Sequence, residues 1–279
     1  MRWTIRVSAF AVVVTLLPGS SSAQTAAPSP AAVERAAQIL AESRKAIAGK
    51  VSSVTSIVTT GRTRRVRGEN LVPIEFEIAI ELPDKYVRKD EIPAEESGPT
   101  STGFSGPEII QLPPPAPPRG GGPPGPAPGP EQLAAQRAAR LNTVKQDFAR
   151  LMLGLLPGTL DTFPMTFSFV AQAQAPQGNA NVLDVRGPGN FAARLFVHAD
   201  THLPIMVTWQ AAGTPAAGQK VPPPQVEHRL YFMDYRDAGG MMLPFRLRRA
   251  VGAETTEETT FDRFRLNTRI DPRKFATGR

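Results

Sequence analysis

The stretch "PIEFEIAIELP", Pro73–Pro83, limits what this chain can become more than any other. Ile74, Phe76, Ile78, Ile80 and Leu82 alternate without a break with Glu75, Glu77, Ala79 and Glu81. Successive side chains of an extended strand point to opposite sides, so a period of two sorts these residues into one apolar and one wet face. A helix would scatter them around its circumference. The chain must therefore build a sheet with an apolar face, and that face needs a cover.

Further strands are predicted around this one. Val51–Val66 is rich in β-branched residues, Lys85–Ile92 follows a turn at Asp84-Lys85, and Thr102–Leu112 reads as a weaker fourth strand. A second series comprises Phe163–Ala173, Asn181–Gly187, Phe191–Ala199, Leu203–Ala211, Gln225–Arg236, Leu243–Val251 and Glu254–Leu266, separated by Gly, Pro, Asn or Asp turn signals. "RGPGNF" and "DAGGMM" read as Gly turns between strands, and Gly252-Ala253 as a two-residue turn setting Arg248 opposite Glu257. Helices are predicted at two places. Ser29-Pro30 offers an N-cap and a first-turn proline for Ala31–Ala48, which places Val33, Ala37, Leu40, Arg44 and Ile47 on one stripe and stops at Gly49. A second helix runs from Glu131 to about Gly154–Pro157, with Leu133, Arg137, Leu141, Val144, Phe148, Leu151, Met152 and Leu155 in line. No crossover helix joins consecutive strands, so the sheet should be antiparallel. The expectation is an α+β fold of about ten strands and two helices.

"LPPPAPPRGGGPPGPAPGP", Leu112–Pro130, is either a linker between domains or a loop of one. A linker needs a self-sufficient unit on each side, and one helix with three or four strands before it is too little to bury its own apolar faces. One domain, residues 24–279, with a Pro/Gly-rich insertion at 112–130 is the better reading; Pro215–Pro224 looks like a smaller loop of the same kind. The insertion favours polyproline II conformation broken at Gly120–Gly122, and its PxxP spacing is common in any Pro-rich tract.

Residues 1–23 read as a secretory signal peptide. Arg2 and Arg6 precede an apolar run from Val7 to Leu17, and small residues lead to Ala23. That run, roughly 11 residues, is well short of the ~20 a membrane-spanning helix needs. The chain has no Cys, which excludes disulfides, thiolate metal sites, a Cys nucleophile and a lipidated N-terminal Cys. The reading is a soluble, exported, periplasmic protein without a transmembrane anchor. The formal charge of +7 is spread among acidic residues with no basic run, so no nucleic-acid footprint is read from it.

Candidates for chemistry are few. His198, Asp200 and His202 in "HADTH" would share a face on an extended strand and could hold a metal, but "DTHLP" reads as a turn that breaks the alternation, so no metal site is assigned. His228 reads as a lone surface residue. Glu75, Glu77 and Glu81 are explained as the wet side of a strand; Glu91, Glu95 and Glu96 fall in a loop, and Glu254, Glu257 and Glu258 lie near the end. No GxSxG, P-loop or dinucleotide fingerprint occurs where a strand meets a helix. No catalytic residue and no cofactor is assigned, and an enzyme is the weakest reading.

What remains is the abundance of one-faced strands. Phe76, Ile78, Ile80, Met165, Phe167, Phe169, Phe196, Met206, Trp209, Phe232, Phe245 and Leu247 are placed on the concave side of a curved sheet. If the helices fill that side the result is an ordinary core; if they leave space it is an apolar cavity. The order of elements, with "ILAESRKAIAGKVSSVTSIVTTGR", "IELPDKYVRKDE", "DTHLPIMVTW" and "YFMDYRDAGGMMLPFRLRR…FDRFRLNTRIDPRKF", resembles the periplasmic lipoprotein-carrier superfamily typified by LolA and LolB. The resemblance implies an open, incomplete antiparallel β-barrel, helices as a lid over its concave face, and an apolar cavity for acyl chains. The absence of Cys makes the chain similar to the soluble carrier. It also implies a lid-controlling arginine, for which Arg62 and Arg64 are the nearest candidates. The residues expected to meet lipid or lipoprotein acyl chains are Phe76, Ile78, Ile80, Phe167, Phe169, Phe196, Trp209 and Phe232. The alternative is an envelope protein-interaction or sensor module with a filled barrel and Pro-rich contact loops.

Overall fold

The computed structural model describes residues 27–67, 70–93, 98–114, 129–175, 178–213 and 224–277. The signal-peptide reading of 1–23, Glu95 and Glu96, and nearly all of both Pro-rich runs lie outside the described residues.

Two helices and twelve strands follow in the order α1 (Pro30–Ala48), β1 (Ser56–Arg67), β2 (Asn70–Glu81), β3 (Lys85–Glu91), β4 (Thr100–Ser105), β5 (Glu108–Leu112), α2 (Pro130–Leu155), β6 (Thr166–Ala175), β7 (Gly178–Gly187), β8 (Phe191–His198), β9 (Pro204–Ala212), β10 (Gln225–Asp237), β11 (Met242–Val251) and β12 (Glu254–Leu266). A short 3₁₀ turn at Pro272–Phe275 closes the described chain. The expected strand over Thr102–Leu112 is two strands. Gly106, with φ of 58°, turns the chain back on itself there, so β4 and β5 form a hairpin.

All twelve strands form one antiparallel sheet in the order β5-β4-β3-β2-β1-β12-β11-β10-β9-β8-β7-β6. Two meanders, β1–β5 and β6–β12, meet where β1 pairs with β12, so strands from both sides of the Pro/Gly run share one ladder. This seam is tied by side chains as well as backbone. Thr63 and Thr259 hydroxyls meet at 2.8 Å in the interior, and the Thr59 hydroxyl donates to the Arg263 carbonyl at 2.8 Å. Asn267, at φ 54°, accepts from the Thr55 amide at 2.8 Å and donates to the Ser53 carbonyl at 2.9 Å.

The sheet curls around α2. Phe148 packs on Tyr86 of β3 and Phe104 of β4 at ring distances of 5.0 and 5.2 Å, and Arg150, two residues on, lies 4.5 Å over Trp209 of β9. β4 and β9 are seven positions apart in the sheet, which at ~4.8 Å per strand is about 34 Å if flat. One helix ~10–12 Å across reaches both only if the sheet bends round it.

α1 starts at Ser29, whose hydroxyl accepts from the Ala32 amide, and stops at Gly49 as expected. Its buried face is Ala36, Ile39, Leu40, Ser43 and Ile47. This differs from the expected stripe in all but Leu40 and Ile47: the helix is turned so that small Ala36 and Ser43 are buried, while Val33 is 45% exposed. In α2 the expected Phe148, Leu151, Met152 and Leu155 are buried, but Leu133 is 52% exposed and Arg137 stands in solvent. The last two turns, from Phe148 to Leu155, are buried on every side, Arg150 included; apart from that residue the run carries no polar side chain. No helix among the described residues is long and apolar enough to cross a membrane.

The wet face of β2 is covered in part. Val58, Ala79, Val87, Ile110, Ile270 and Phe275 form a second, smaller core where the C-terminal segment lies over the outside of the sheet. Lys274 pairs with Glu77 beside it. Phe275→Ala is expected to lower the unfolding free energy by about 3 kcal/mol, seen in urea titration as a lower midpoint with an unchanged slope.

Candidate functional site

Cross-strand register places the expected contact residues. On β1 and β2, Ile57 faces Ile80, Thr59 faces Ile78 and Gly61 faces Phe76, all on the side that receives the helices. Across the seam the same side continues through Phe261 and Leu247 to Phe232, then Val207, Leu195, Leu183 and Phe169. Phe76, Ile78, Ile80 and Phe232 are buried, and Phe167, Phe169 and Trp209 pack against the same core while partly exposed. Seven of the eight nominated residues thus share the concave face. Phe196 does not. It alternates with the buried Leu195 and Val197 and points outward, where it lines a cleft of about 530 Å³ with Ile205, Met206 and Tyr231. Met206 is misplaced too: it alternates with the buried Val207 and shares its face with Thr208 and Gln210, as Phe196 shares its own with Arg194 and His198, so each is a large apolar side chain on the polar face of its strand.

Arg62 and Arg64 also face outward, away from the helices. They flank Thr63, which is buried on the concave side, and they line an outer cleft with Arg246, Glu258 and Asp262. Arg150, carried by α2 itself, reaches from the cover to Trp209 of the sheet. Arg248 meets Glu258, and Glu257 meets Arg249, because a bulge between Arg249 and Ala250 shifts the ladder by one beyond the turn.

The cover is fixed at the C-terminal ends of both helices. Gly154 of α2 lies so close to Phe232 that a Cβ there would fall 2.0 Å from the ring. The Tyr235 hydroxyl faces two carbonyls, Pro204 at 2.7 Å and Gly154 at 3.2 Å, joining the end of α2 to β9. At the end of α1, Gly49 has φ of 55° and a Cβ would be 2.2 Å from the Gly240 carbonyl oxygen, to which the Lys50 amide donates at 3.1 Å. His202 of the β8–β9 turn approaches Glu42 of α1 at 3.4 Å.

Two clefts open along α2. One, of about 290 Å³, brings Tyr86, Arg88 and Val144 together with Asp90, Asp147 and Glu257. Arg88 donates to Asp90 at 2.7 Å and to Thr63 at 3.1 Å. Burial disfavours its charge, but Asp90, Tyr86 and Glu257 outweigh this and hold it above its ordinary range. Burial pushes the Tyr86 hydroxyl up to about 12, against the pull of Arg88, and raises Tyr235 well above its usual value. The other cleft, of about 460 Å³, is lined by Gln146 and Arg150 of α2 and by Trp209, and reaches the outward-facing Arg186, Arg194 and Glu227 of β7, β8 and β10. His228 is not alone: its ring stacks on Trp209 at 5.4 Å. The "HADTH" residues serve the turn, with the His198 Nδ1 accepting from the Asp200 and Thr201 amides at 3.2 Å. Among the described residues no cluster of three His, Asp or Glu side chains is arranged to hold a metal ion.

A LolA superfamily protein from Nitrosomonas europaea superposes with a TM-score of 0.51 at 11% identity, covering 87% of this chain and 97% of that one. The fold is LolA-like. A structure from Vibrio parahaemolyticus named for outer membrane lipoprotein sorting gives 0.49 at 8% identity, with 87% and 97% covered. A DUF1329 family protein from Desulfovibrio piger gives 0.47 at 9%, with 88% and 97% covered. No protein-family model and no curated protein sequence matches the chain. In this LolA-like fold the sequence missed the contacts that join cover to sheet: Tyr86–Phe104–Phe148, Arg150–Trp209 and Gly154–Phe232. Only the unbroken apolar end of α2, "LMLGLL", signalled them.

Gly154→Ala tests the cover's fit. Alanine ordinarily favours a helix interior by about 1 kcal/mol, yet here the clash with Phe232 is expected to leave a net loss of about 1–3 kcal/mol, partly recovered by Phe232→Leu in the same chain. The buried tyrosines set an alkaline limit. Their folded pKa lies above the unfolded value, so the unfolded chain binds fewer protons once Tyr86 would ionise. Stability is fully present below about pH 10 and is lost as pH rises toward about 12; Tyr86→Phe should flatten that fall in denaturant titrations.

Proposed function

We propose that the protein is an exported, periplasmic, non-enzymatic carrier or binding protein for the acyl chains of lipids or lipoproteins. Acyl chains would lie on the concave face, against Ile78, Ile80, Phe167, Phe169 and Phe232, after α1 and α2 move outward. One observation carries this reading: an apolar face that runs unbroken from β2 to β6 is covered by two helices held chiefly at their C-terminal ends. Opening removes helix side chains from that face, and acyl chains replace them. Both contacts shield apolar surface from water at about 25 cal/mol per Å², so the exchange lies near balance. A carrier that must release its cargo needs such a balance. The N-terminal "MRWTIRVSAFAVVVTLLPGSSSA" supports export. The LolA-like architecture supports the carrier reading as a fold.

A second reading, an envelope interaction or sensor module with a filled barrel, is favoured by a different observation. Ile78, Ile80 and Phe232, at the middle of the concave face, are buried in one apolar cluster with residues of both helices.

Native mass spectrometry with lipid extraction on the gently purified exported protein separates the two. The carrier reading expects a co-purifying acyl species, lost in Phe167→Asp while near-ultraviolet circular dichroism stays native; Phe167 is partly exposed, so the fold should tolerate the change. A clean apo mass with no uptake of added fatty acid or phospholipid would sink it and favour the interaction module.

A further inference from the structure

Arg88 of β3, half-buried, and Arg150 of α2, buried, differ in their surroundings. Arg88 is enclosed by carboxylates that more than offset its burial. Arg150 is not. Its residue is only 8% exposed, and burial lowers the guanidinium below its ordinary range despite Asp147. A guanidinium has five N–H donors. Here one nitrogen donates to Asp147 at 2.9 Å and another to Gln146 at 3.3 Å, while Nε has no partner. The cation instead lies 4.5 Å over the Trp209 ring and 5.2 Å from that of Phe191. Burying a charge with unused donors is costly unless something completes its shell.

Arg150 lines the cleft of about 460 Å³ that runs from α2 past Trp209 to outward-facing side chains of β7, β8 and β10, a volume in the range of small-molecule sites. Arg186 and Arg194 line the same cleft and share one carboxylate, Asp184, at 2.8 and 3.8 Å. Glu227, also at its wall, is taken by Arg229 at 2.6 Å. Three guanidiniums therefore face a space whose carboxylates are already engaged. Trp209 reaches from this cleft to the concave core, so the polar mouth and the apolar face are continuous.

We propose that this cleft is an oxyanion subsite, with Arg150 and Arg194 as donors and Trp209 as its floor, that takes the phosphate of an acyl ligand's headgroup. The proposal rests on the carrier reading for the source of the phosphate, whereas the oxyanion chemistry stands on the cleft alone. Guanidinium suits it because its planar fork pairs with two phosphate oxygens at once.

The chain has two tryptophans, Trp3 and Trp209. In the full chain carrying Trp3→Phe, fluorescence reports on Trp209 only. Titration with inorganic phosphate, short-chain phosphatidic acid and the matching neutral diacylglycerol separates the sources. The expected result is saturable quenching by phosphate, with phosphatidic acid binding about tenfold or more tightly than diacylglycerol. Arg194→Gln, an exposed change, and Arg150→Met should each weaken the phosphate-bearing probes and leave diacylglycerol unchanged. Phosphate binding without any gain from acyl chains supports the subsite and removes its lipid source, which also counts against the carrier reading. Equal affinity for phosphatidic acid and diacylglycerol overturns the subsite and leaves the carrier reading standing. No response to phosphate or phosphatidic acid, or responses unchanged in Arg194→Gln, overturns the subsite too, whatever the fate of the Arg150 variant.

Discussion

The pairing of β1 with β12 is the contact on which the rest depends. Each meander alone is a run of neighbouring hairpins that could form locally; only this seam, joining residues about 200 apart in sequence, makes them one sheet. Its ladder is reinforced where it is least accessible, by the Thr63–Thr259 hydroxyl pair, and clamped at one end by Asn267. With the seam in place the sheet is wide enough to curl, and once curled it can hold the end of α2 on all sides. Without it, Phe148 and Arg150 could not reach β4 and β9 together.

The same curvature divides the molecule's chemistry between two faces. The inside gathers apolar residues from eleven strands and closes on them with helices. The outside is charged across β1, β11 and β12, where Arg62, Arg64 and Arg246 stand among Glu258 and Asp262, and apolar beside Phe196 and Met206. The cover's polar contacts with the sheet are placed at its margins: Tyr235 at one end of α2, Gln146 donating to the Gly189 carbonyl at 2.9 Å along its flank, and Glu42 with His202 beside α1.

Strand identity was legible because it is written in a local period. Pro73–Pro83 alternates so cleanly that its buried set could be named residue by residue, and Gly49 and Ser29 marked the bounds of α1 through backbone rules that need no tertiary partner. Face and neighbour were less legible. Phe196 and Met206 went to the wrong side because each is a single large apolar side chain on a face that otherwise carries Arg194 and His198, or Thr208 and Gln210, and size was read ahead of period. The ladder beyond Gly252 slipped by one because a bulge leaves no residue-type signature. Arg150 was invisible, since a charged side chain in an amphipathic helix is ordinarily solvated, and only the three-dimensional approach of Trp209 and Phe191 gives it a place. The second core on the outer face was hidden for the same reason: nothing in "IDPRKF" says which strands it covers.

The close contact of Gly154 with Phe232 also has a mechanical meaning. A helix whose backbone rests on a ring at one end, with Tyr235 holding the carbonyl beside it, has a fulcrum there and resists sliding along its axis. At 1.5 Å per residue, Phe148 sits about 9 Å from that fulcrum and Pro130 about 36 Å away. Rotation about Gly154 would therefore move the exposed tip roughly four times as far as the aromatic anchor, so a force applied at the tip acts on the buried ring with about fourfold leverage.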